Sequence, residues 1–128
     1  MIIVPTPLGP FDTGFEEHID IDPQEWISLI RNADFVFTDS FHGFIFSVIF
    51  EKNFVVLKRF SDSDKKSQNS RIYSLAKMLN IENRIIDATT FENISSLPPI
   101  NYKDINILLS VKRAESIAWL LAALDEVN

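Results

Sequence analysis

The chain has 128 residues and a mass of 14.7 kDa, the size of one ordinary domain, with the 46% hydrophobic and 23% charged composition of a globular protein. It contains no cysteine, which excludes a disulfide scaffold, a thiolate nucleophile and a Cys-ligated metal site, and its two histidines, His18 and His42, do not predict a zinc site. A net charge of −6 argues against nucleic acid as a partner, and no apolar run reaches the roughly 20 residues of a transmembrane helix.

The first 22 residues show little regular pattern. Residues 1–4 have the composition of a short strand, which the following prolines stop. The acidic stretch over residues 8–21 contains glycine and proline breakers, and its carboxylates match no metal-ligand spacing. We therefore assign residues 1–22 to an irregular N-terminal segment and residues 23–128 to one domain, with no metal site.

A helix and a strand follow. Asp22, Pro23 and Glu25 are typical of a helix start, with Asp as the N-cap, Pro at the first helical position and Glu three residues after the cap. The apolar residues of the next turns predict that this helix runs to about residue 32. Residues 34–38 are aromatic and β-branched, which predicts a short buried strand.

The next apolar run, residues 44–50, fits either a strand or a fully buried helix, because periodicity does not separate the two. We favour a helix over residues 41–51. Asp39 and Ser40 can cap such a helix, and a further strand candidate, residues 54–57, comes directly after it.

The second half of the chain continues the alternation. A polar loop over residues 58–70 is followed by a helix over residues 72–79, which Asn80 can close, and by a short strand over residues 84–87. A further helix start follows at residues 101–104, and the C-terminal helix has an apolar face over residues 111–124. Strands that alternate with helices predict an α/β fold with a parallel sheet and flanking helices.

The segment Thr38-Asp39-Ser40-Phe41-His42-Gly43 joins the first buried strand to the second helix. In open α/β sheets, ligands bind beyond the carboxyl ends of the strands, where helix N-termini favour anions. Ser40 offers a hydroxyl, Gly43 permits close approach of the backbone, and His42 is the side-chain type that exchanges protons near neutral pH. Asp39 and Ser40 also suit a plain N-cap and a lone histidine is more often structural, so both interpretations stay open.

The polar loop and the helix start after it are rich in basic residues although the chain is acidic, with Lys58, Arg59, Lys65, Lys66 and Arg71 against Asp62 and Asp64. The loop can close over an anionic ligand as a lid, or it is a solvated surface loop. Arg71 is the best fixed of these cations because it stands at the start of a helix. Its guanidinium can bind a carboxylate or phosphate through two parallel hydrogen bonds.

Residues 33–54, which contain Thr-Asp-Ser-Phe-His-Gly followed by Phe-Ser and by Glu-Lys-Asn-Phe, resemble the hallmark segment of the polysaccharide pyruvyl transferase family. The similarity continues in Ser70-Arg71-Ile72, in Met78-Leu-Asn-Ile, at Arg84 and in the C-terminal helix from Val111, so that it covers the chain from about Pro23 onward.

This resemblance implies a Rossmann-like fold, similar to the C-terminal domain of a GT-B-type transferase. Family members transfer the pyruvyl unit of phosphoenolpyruvate to a sugar of a surface or capsular polysaccharide as a ketal, and the resemblance implies no cofactor. The N-terminal half of the family's architecture is expected to be another domain or a partner chain. The implied location is cytoplasmic, with peripheral docking at the inner face of the membrane.

The resemblance also implies roles for the candidate residues. His42 is expected to be catalytic, as acid, base or phosphate ligand, while Ser40 and Gly43 bind phosphate and Arg71 binds the carboxylate. Two other interpretations stay open. One is the nucleotide-sugar-binding donor domain of a GT-B glycosyltransferase, and the other is a non-catalytic truncated domain that self-associates through its exposed cleft face.

Overall fold

The computed structural model describes residues 21–58, 63, 69–87 and 89–127. The strand predicted for residues 1–4 and most of the irregular N-terminal segment lie outside these ranges. Four helices and three strands alternate along the described chain: α1 (Pro23–Asn32), β1 (Phe35–Thr38), α2 (Phe41–Ile49), β2 (Asn53–Leu57), α3 (Asn69–Met78), β3 (Ile85–Ile86) and α4 (Tyr102–Val127). Two 3₁₀ turns, Glu82–Arg84 and Phe91–Ser96, lie on either side of β3.

The three strands form a parallel sheet in the order β1-β2-β3. In this register Thr38 lies opposite Val56, and Leu57 lies opposite Ile86. The carboxyl ends of all three strands therefore lie at one edge of the sheet. The predicted α/β class, a small Rossmann-like parallel sheet with flanking helices, is confirmed.

Most of the predicted element boundaries agree with the structure. The Asp22 carboxylate accepts a hydrogen bond from the Glu25 N–H at 2.8 Å, and the Glu25 carboxylate accepts one from the Asp22 N–H at 3.1 Å, so the capping box predicted at the start of α1 is present. Asn80 closes the turn after α3 with a positive φ of 55°, as predicted for a residue type that tolerates this region.

Several boundaries differ from the sequence prediction, and α3 begins at Asn69, within the stretch predicted as a loop. Helix α2 ends at Ile49 rather than at residue 51, because Phe50 caps it and Glu51 takes a positive φ of 53° that no α-helix contains. Arg84 belongs to a 3₁₀ turn, so β3 has only two residues. The predicted helix start at residues 101–104 and the C-terminal helix form one continuous helix, α4.

The core lies on the sheet face that carries Val36, Phe54 and Val56. Phe44 of α2 and Phe54 of β2 are both fully buried, and their ring centroids lie 5.2 Å apart. Burying one such ring stabilises the fold by about 2–3 kcal/mol, so this pair fixes α2 against the sheet. The other helices and the turn after α3 add buried side chains to the same cluster: Ile30, Ile72, Ala76, Leu79 and Ile105.

Helix α4 contacts the core only through its first turns. Ile105 is its one buried residue, and nearly every residue from Ser110 to Val127 is exposed, including Trp119 at 73%. The apolar face predicted over residues 111–124 therefore does not pack on the sheet within the described part of the chain. None of the described helices combines the length and the apolar character that crossing a bilayer requires.

Tyr102 fixes the start of α4 to the loop between α2 and β2. Its hydroxyl donates to the carbonyl oxygen of Lys52 and lies 3.3 Å from that of Ser47. Burial of the phenol raises its pKa far above the ordinary value of 10.0.

We expect Tyr102→Phe to lower the free energy of unfolding by about 1–2 kcal/mol at neutral pH, because the Lys52 carbonyl loses its side-chain donor. Above pH 10.0 the phenol of the unfolded chain ionises while that of the folded chain keeps its proton. The free energy of unfolding of the wild type therefore decreases as the pH rises above this value. Urea unfolding at neutral and alkaline pH measures both effects. The alkaline decline should shrink in Tyr102→Phe and persist in the control Tyr73→Phe. An unchanged decline in Tyr102→Phe would contradict this assignment.

Candidate functional site

The start of α2 lies directly beyond β1, at the carboxyl edge of the sheet. Ser40 is the N-cap, with an extended backbone, and its hydroxyl oxygen accepts the N–H of Gly43 at 3.3 Å. The Ser40 N–H donates in turn to the Thr38 hydroxyl oxygen at 3.1 Å. The capping role considered for Ser40 is thus realised, and the Ser40 hydroxyl proton can still be donated to a ligand.

The first N–H groups of a helix have no acceptor within the helix. In α2 the cap satisfies the N–H of Gly43, which leaves the amides of Phe41 and His42 as the two donors that the helix start can direct to an anion. No acidic side chain stands in the first turn of α2, so nothing in that turn opposes an anionic ligand.

Gly43 lets α2 approach the end of β1 more closely than any other residue would. A Cβ atom at this position would overlap the Thr38 hydroxyl oxygen and would lie 3.0 Å from the Thr38 Cβ. The carbonyl of Gly43 accepts a hydrogen bond from the buried Ser47 hydroxyl at 2.7 Å. The glycine is therefore needed for packing between helix and strand, and the site's backbone is fixed by that packing.

His42 lies on the solvent side of the first turn of α2 and is exposed. Its ring stands edge-on to the Phe41 ring, with the centroids 6.1 Å apart. An exposed imidazole next to two available amides can exchange a proton with a bound ligand. The structure thus places Ser40, His42 and Gly43 in one helical turn, as the sequence predicted.

Arg71 lies in the first turn of α3, and its side chain contacts the first turn of α2 at Phe41. Its guanidinium carbon lies 5.0 Å from the centroid of the Phe41 ring, which is a cation–π arrangement. A shallow groove of about 370 Å³ runs beside this contact, lined by Phe41, Ser70, Arg71, Ser74, Leu75 and Met78. The starts of α2 and α3 therefore meet at Phe41, and the groove between them carries the Arg71 charge.

Lys58 and Tyr73 are part of this edge as well. Lys58 follows β2, and its ammonium group lies 5.6 Å from the centroid of the Tyr73 ring. From the sequence, Lys58 was only one of the cations of the loop, because no local signal links it to a ring on α3. The other charged residues of that loop, and hence its proposed role as a lid, lie outside the described residues.

Asp87 directly follows β3, and its carboxylate accepts hydrogen bonds from the Thr89 hydroxyl at 2.6 Å and from the Thr89 N–H at 2.9 Å. These bonds, with weaker ones from Thr90, lower the pKa of Asp87 below its ordinary value. The carboxylate is thus used in a local turn. Within the described ranges, no three His, Asp or Glu side chains are grouped so that they could hold a metal ion.

Comparison with protein families bears directly on this edge. Residues 9–62 match the model of the polysaccharide pyruvyl transferase family. The resemblance inferred from residues 33–54 is therefore confirmed, and the match supports a transferase of polysaccharide biosynthesis. Comparison with curated proteins and with solved structures gives no match.

The matched range locates the pyruvyl transferase pattern on the structure. It contains α1, β1, α2 and β2, and with them Ser40, His42, Gly43 and Lys58. It begins at residue 9, within the segment for which the sequence had suggested no resemblance. It ends before Arg71, so the resemblance of α3 and α4 to the family remains a prediction.

Proposed function

We propose that this chain binds phosphoenolpyruvate at the carboxyl edge of its sheet and forms the donor side of a polysaccharide pyruvyl transferase. The observation that carries the proposal is the start of α2, where a helix N-terminus with no acidic side chain in its first turn, an exposed His42 and the Arg71 guanidinium meet around Phe41. The family match over this turn supports the same reaction.

Phosphoenolpyruvate carries two anionic groups, and the site offers two kinds of donor. The amides of Phe41 and His42, with the Ser40 hydroxyl, suit the phosphate, because a helix N-terminus combines directed N–H groups with a favourable dipole. The guanidinium of Arg71 suits the carboxylate, which it can bind through two parallel hydrogen bonds. In this arrangement the three-carbon unit lies across the Phe41 side of the groove.

The reaction adds one proton to the methylene carbon of phosphoenolpyruvate and forms two carbon–oxygen bonds at C2. Protonation of the methylene carbon gives an oxocarbenium-like centre at C2, which one sugar hydroxyl attacks with loss of its proton. A second hydroxyl then attacks C2 and the bond to the phosphate oxygen breaks, so that the ketal and inorganic phosphate form. Of the two protons that the sugar hydroxyls release, one returns to the group that protonated the methylene carbon, and the other leaves on the phosphate. His42 is the proposed proton carrier.

The acceptor sugar needs a surface that faces this edge. We propose that an N-terminal domain or a partner chain supplies it, and that the reaction takes place on the cytoplasmic side of the membrane. The exposed length of α4 supports a larger assembly, because large apolar side chains such as those of Trp119, Leu120 and Leu121 are exposed there, and a cluster of this kind often marks an interaction surface.

The test is a titration of the labelled chain with phosphoenolpyruvate and, separately, with a nucleotide sugar, followed through backbone amide shifts. We expect saturable shifts at residues 40–43 and at Arg71 with phosphoenolpyruvate alone. Arg71→Gln should weaken binding about tenfold, the loss expected for one charged hydrogen-bonded partner. Lys77→Gln is the matched control, because it removes one positive charge at the other end of α3.

His42 requires a separate readout, since a proton carrier contributes more to the reaction than to binding. We expect His42→Gln to bind phosphoenolpyruvate within about threefold of the wild type and to lower the transfer rate of the complete enzyme by about 10²–10⁴-fold. A response to the nucleotide sugar alone would contradict pyruvyl transfer and favour a glycosyltransferase. Silence toward both ligands would favour a non-catalytic domain.

A further inference from the structure

Lys58 directly follows the carboxyl end of β2, the middle strand of the described sheet. Its backbone N–H donates to the carbonyl of Ile86 at 2.9 Å, so the ladder between β2 and β3 continues to this residue. Its side chain is half-buried, and its ammonium group lies over the Tyr73 ring. Both ends of Lys58 are therefore fixed, unlike those of a lysine in a solvated loop.

The strand register places Lys58 beside the start of α2. Thr38 lies opposite Val56, and Ser40 and Lys58 each come two residues after this pair, just beyond the ends of β1 and β2. Neighbouring strands are about 4.8 Å apart, and residues two apart in a strand face the same side of the sheet. Val56 faces the core that α2 covers. Lys58 thus faces the side on which Ser40 begins the helix.

This neighbourhood differs from that of Arg71. Arg71 contacts the first turn of α2 through Phe41, whereas Lys58 stands just after the adjacent strand, β2, with its ammonium group over the Tyr73 ring. A compact ammonium group acts as a point charge and suits phosphate, whereas a planar guanidinium matches the two oxygens of a carboxylate. The two cations are therefore suited to two different groups of one ligand.

We propose that Lys58 is the cation of the phosphate subsite and that Tyr73 holds its ammonium group in place, while Arg71 serves the carboxylate. This inference rests on the proposed function and adds a residue and a division of labour to it. As the bond between C2 and the phosphate oxygen breaks, negative charge collects on the departing phosphate. Lys58 is placed to stabilise that charge, so it acts on the reaction as well as on binding.

Three probes separate the two subsites: phosphoenolpyruvate, inorganic phosphate and pyruvate. Lys58→Gln should weaken phosphoenolpyruvate and inorganic phosphate about tenfold each and leave pyruvate unchanged. Arg71→Gln should weaken phosphoenolpyruvate and pyruvate and leave inorganic phosphate unchanged. Lys77→Gln should change none of the three by more than about twofold. Amide shifts measured on each intact chain give the affinities and show that each variant is folded.

Two further variants keep the test decisive. Lys58→Arg keeps the positive charge, so it should keep more than half of the phosphate affinity that Lys58→Gln loses. This comparison holds even if burial makes the glutamine variant less stable. Tyr73→Leu should weaken inorganic phosphate by about threefold, since the ring fixes the ammonium group. Phosphoenolpyruvate binding that survives Lys58→Gln would overturn the inference and leave the proposed function intact. Failure of the wild type to bind phosphoenolpyruvate would overturn both.

Discussion

Gly43→Ala is expected to lower the free energy of unfolding by about 1–3 kcal/mol and to displace the start of α2. The new methyl group would meet the hydroxyl oxygen, the Cβ and the Cγ2 of Thr38, with the last two at 3.0 and 3.2 Å. Thr38 cannot turn away without loss, because its hydroxyl oxygen accepts the Ser40 N–H. The helix must therefore move away from the strand, and the amides of Phe41 and His42 move with it.

Chemical denaturation and phosphoenolpyruvate titration together measure this effect. The matched control is Ile49→Ala, which changes an exposed side chain in the last turn of the same helix and should cost well under 1 kcal/mol. Thr38→Ala removes two of the three atoms that the new methyl group meets, so the double variant should be more stable than the sum of the single effects predicts. Additive effects of Gly43→Ala and Thr38→Ala would contradict a direct clash.

Arg84→Ala is the second large effect, with an expected loss of about 3 kcal/mol in the free energy of unfolding. Arg84 is only 3% exposed, and its guanidinium donates to the carbonyl of Pro98, which ties the segment before α4 to the 3₁₀ turn before β3. Burial lowers the pKa of Arg84 below the ordinary value of a guanidinium, and its Nε has no hydrogen-bond partner among the described residues. The alanine variant loses the packed side chain and leaves the Pro98 carbonyl unpaired.

Arg84→Met separates packing from hydrogen bonding. Methionine fills most of the same space and removes a buried charge that pairs with no carboxylate in the described part of the chain, so it should cost about 1 kcal/mol. Urea unfolding of both variants gives the comparison, with Arg113→Ala on the exposed part of α4 as the neutral control. A methionine variant as unstable as the alanine variant would show that the hydrogen bond to Pro98 carries the effect.

The local elements of the fold were predictable because their determinants lie within one or two turns of the chain. The capping box of α1 joins residues three positions apart, and Ser40 caps α2 through the N–H of Gly43, also three positions away. Apolar and β-branched residues marked β1 and β2 for the same reason. The ends of elements were harder to predict. Helix α2 is an example, because its length depends on the left-handed backbone of Glu51.

Amino-acid sequence alone determined the α/β alternation, the parallel sheet and the turn that carries Ser40, His42 and Gly43, and the family match to residues 9–62 agrees with that turn. Only the tertiary structure decided that Arg71 stacks on Phe41 and that Lys58 rests on Tyr73. It also decided that most of α4 stays exposed. Local signals record backbone preferences and caps, whereas these contacts join side chains on different elements and depend on how the helices pack across the sheet.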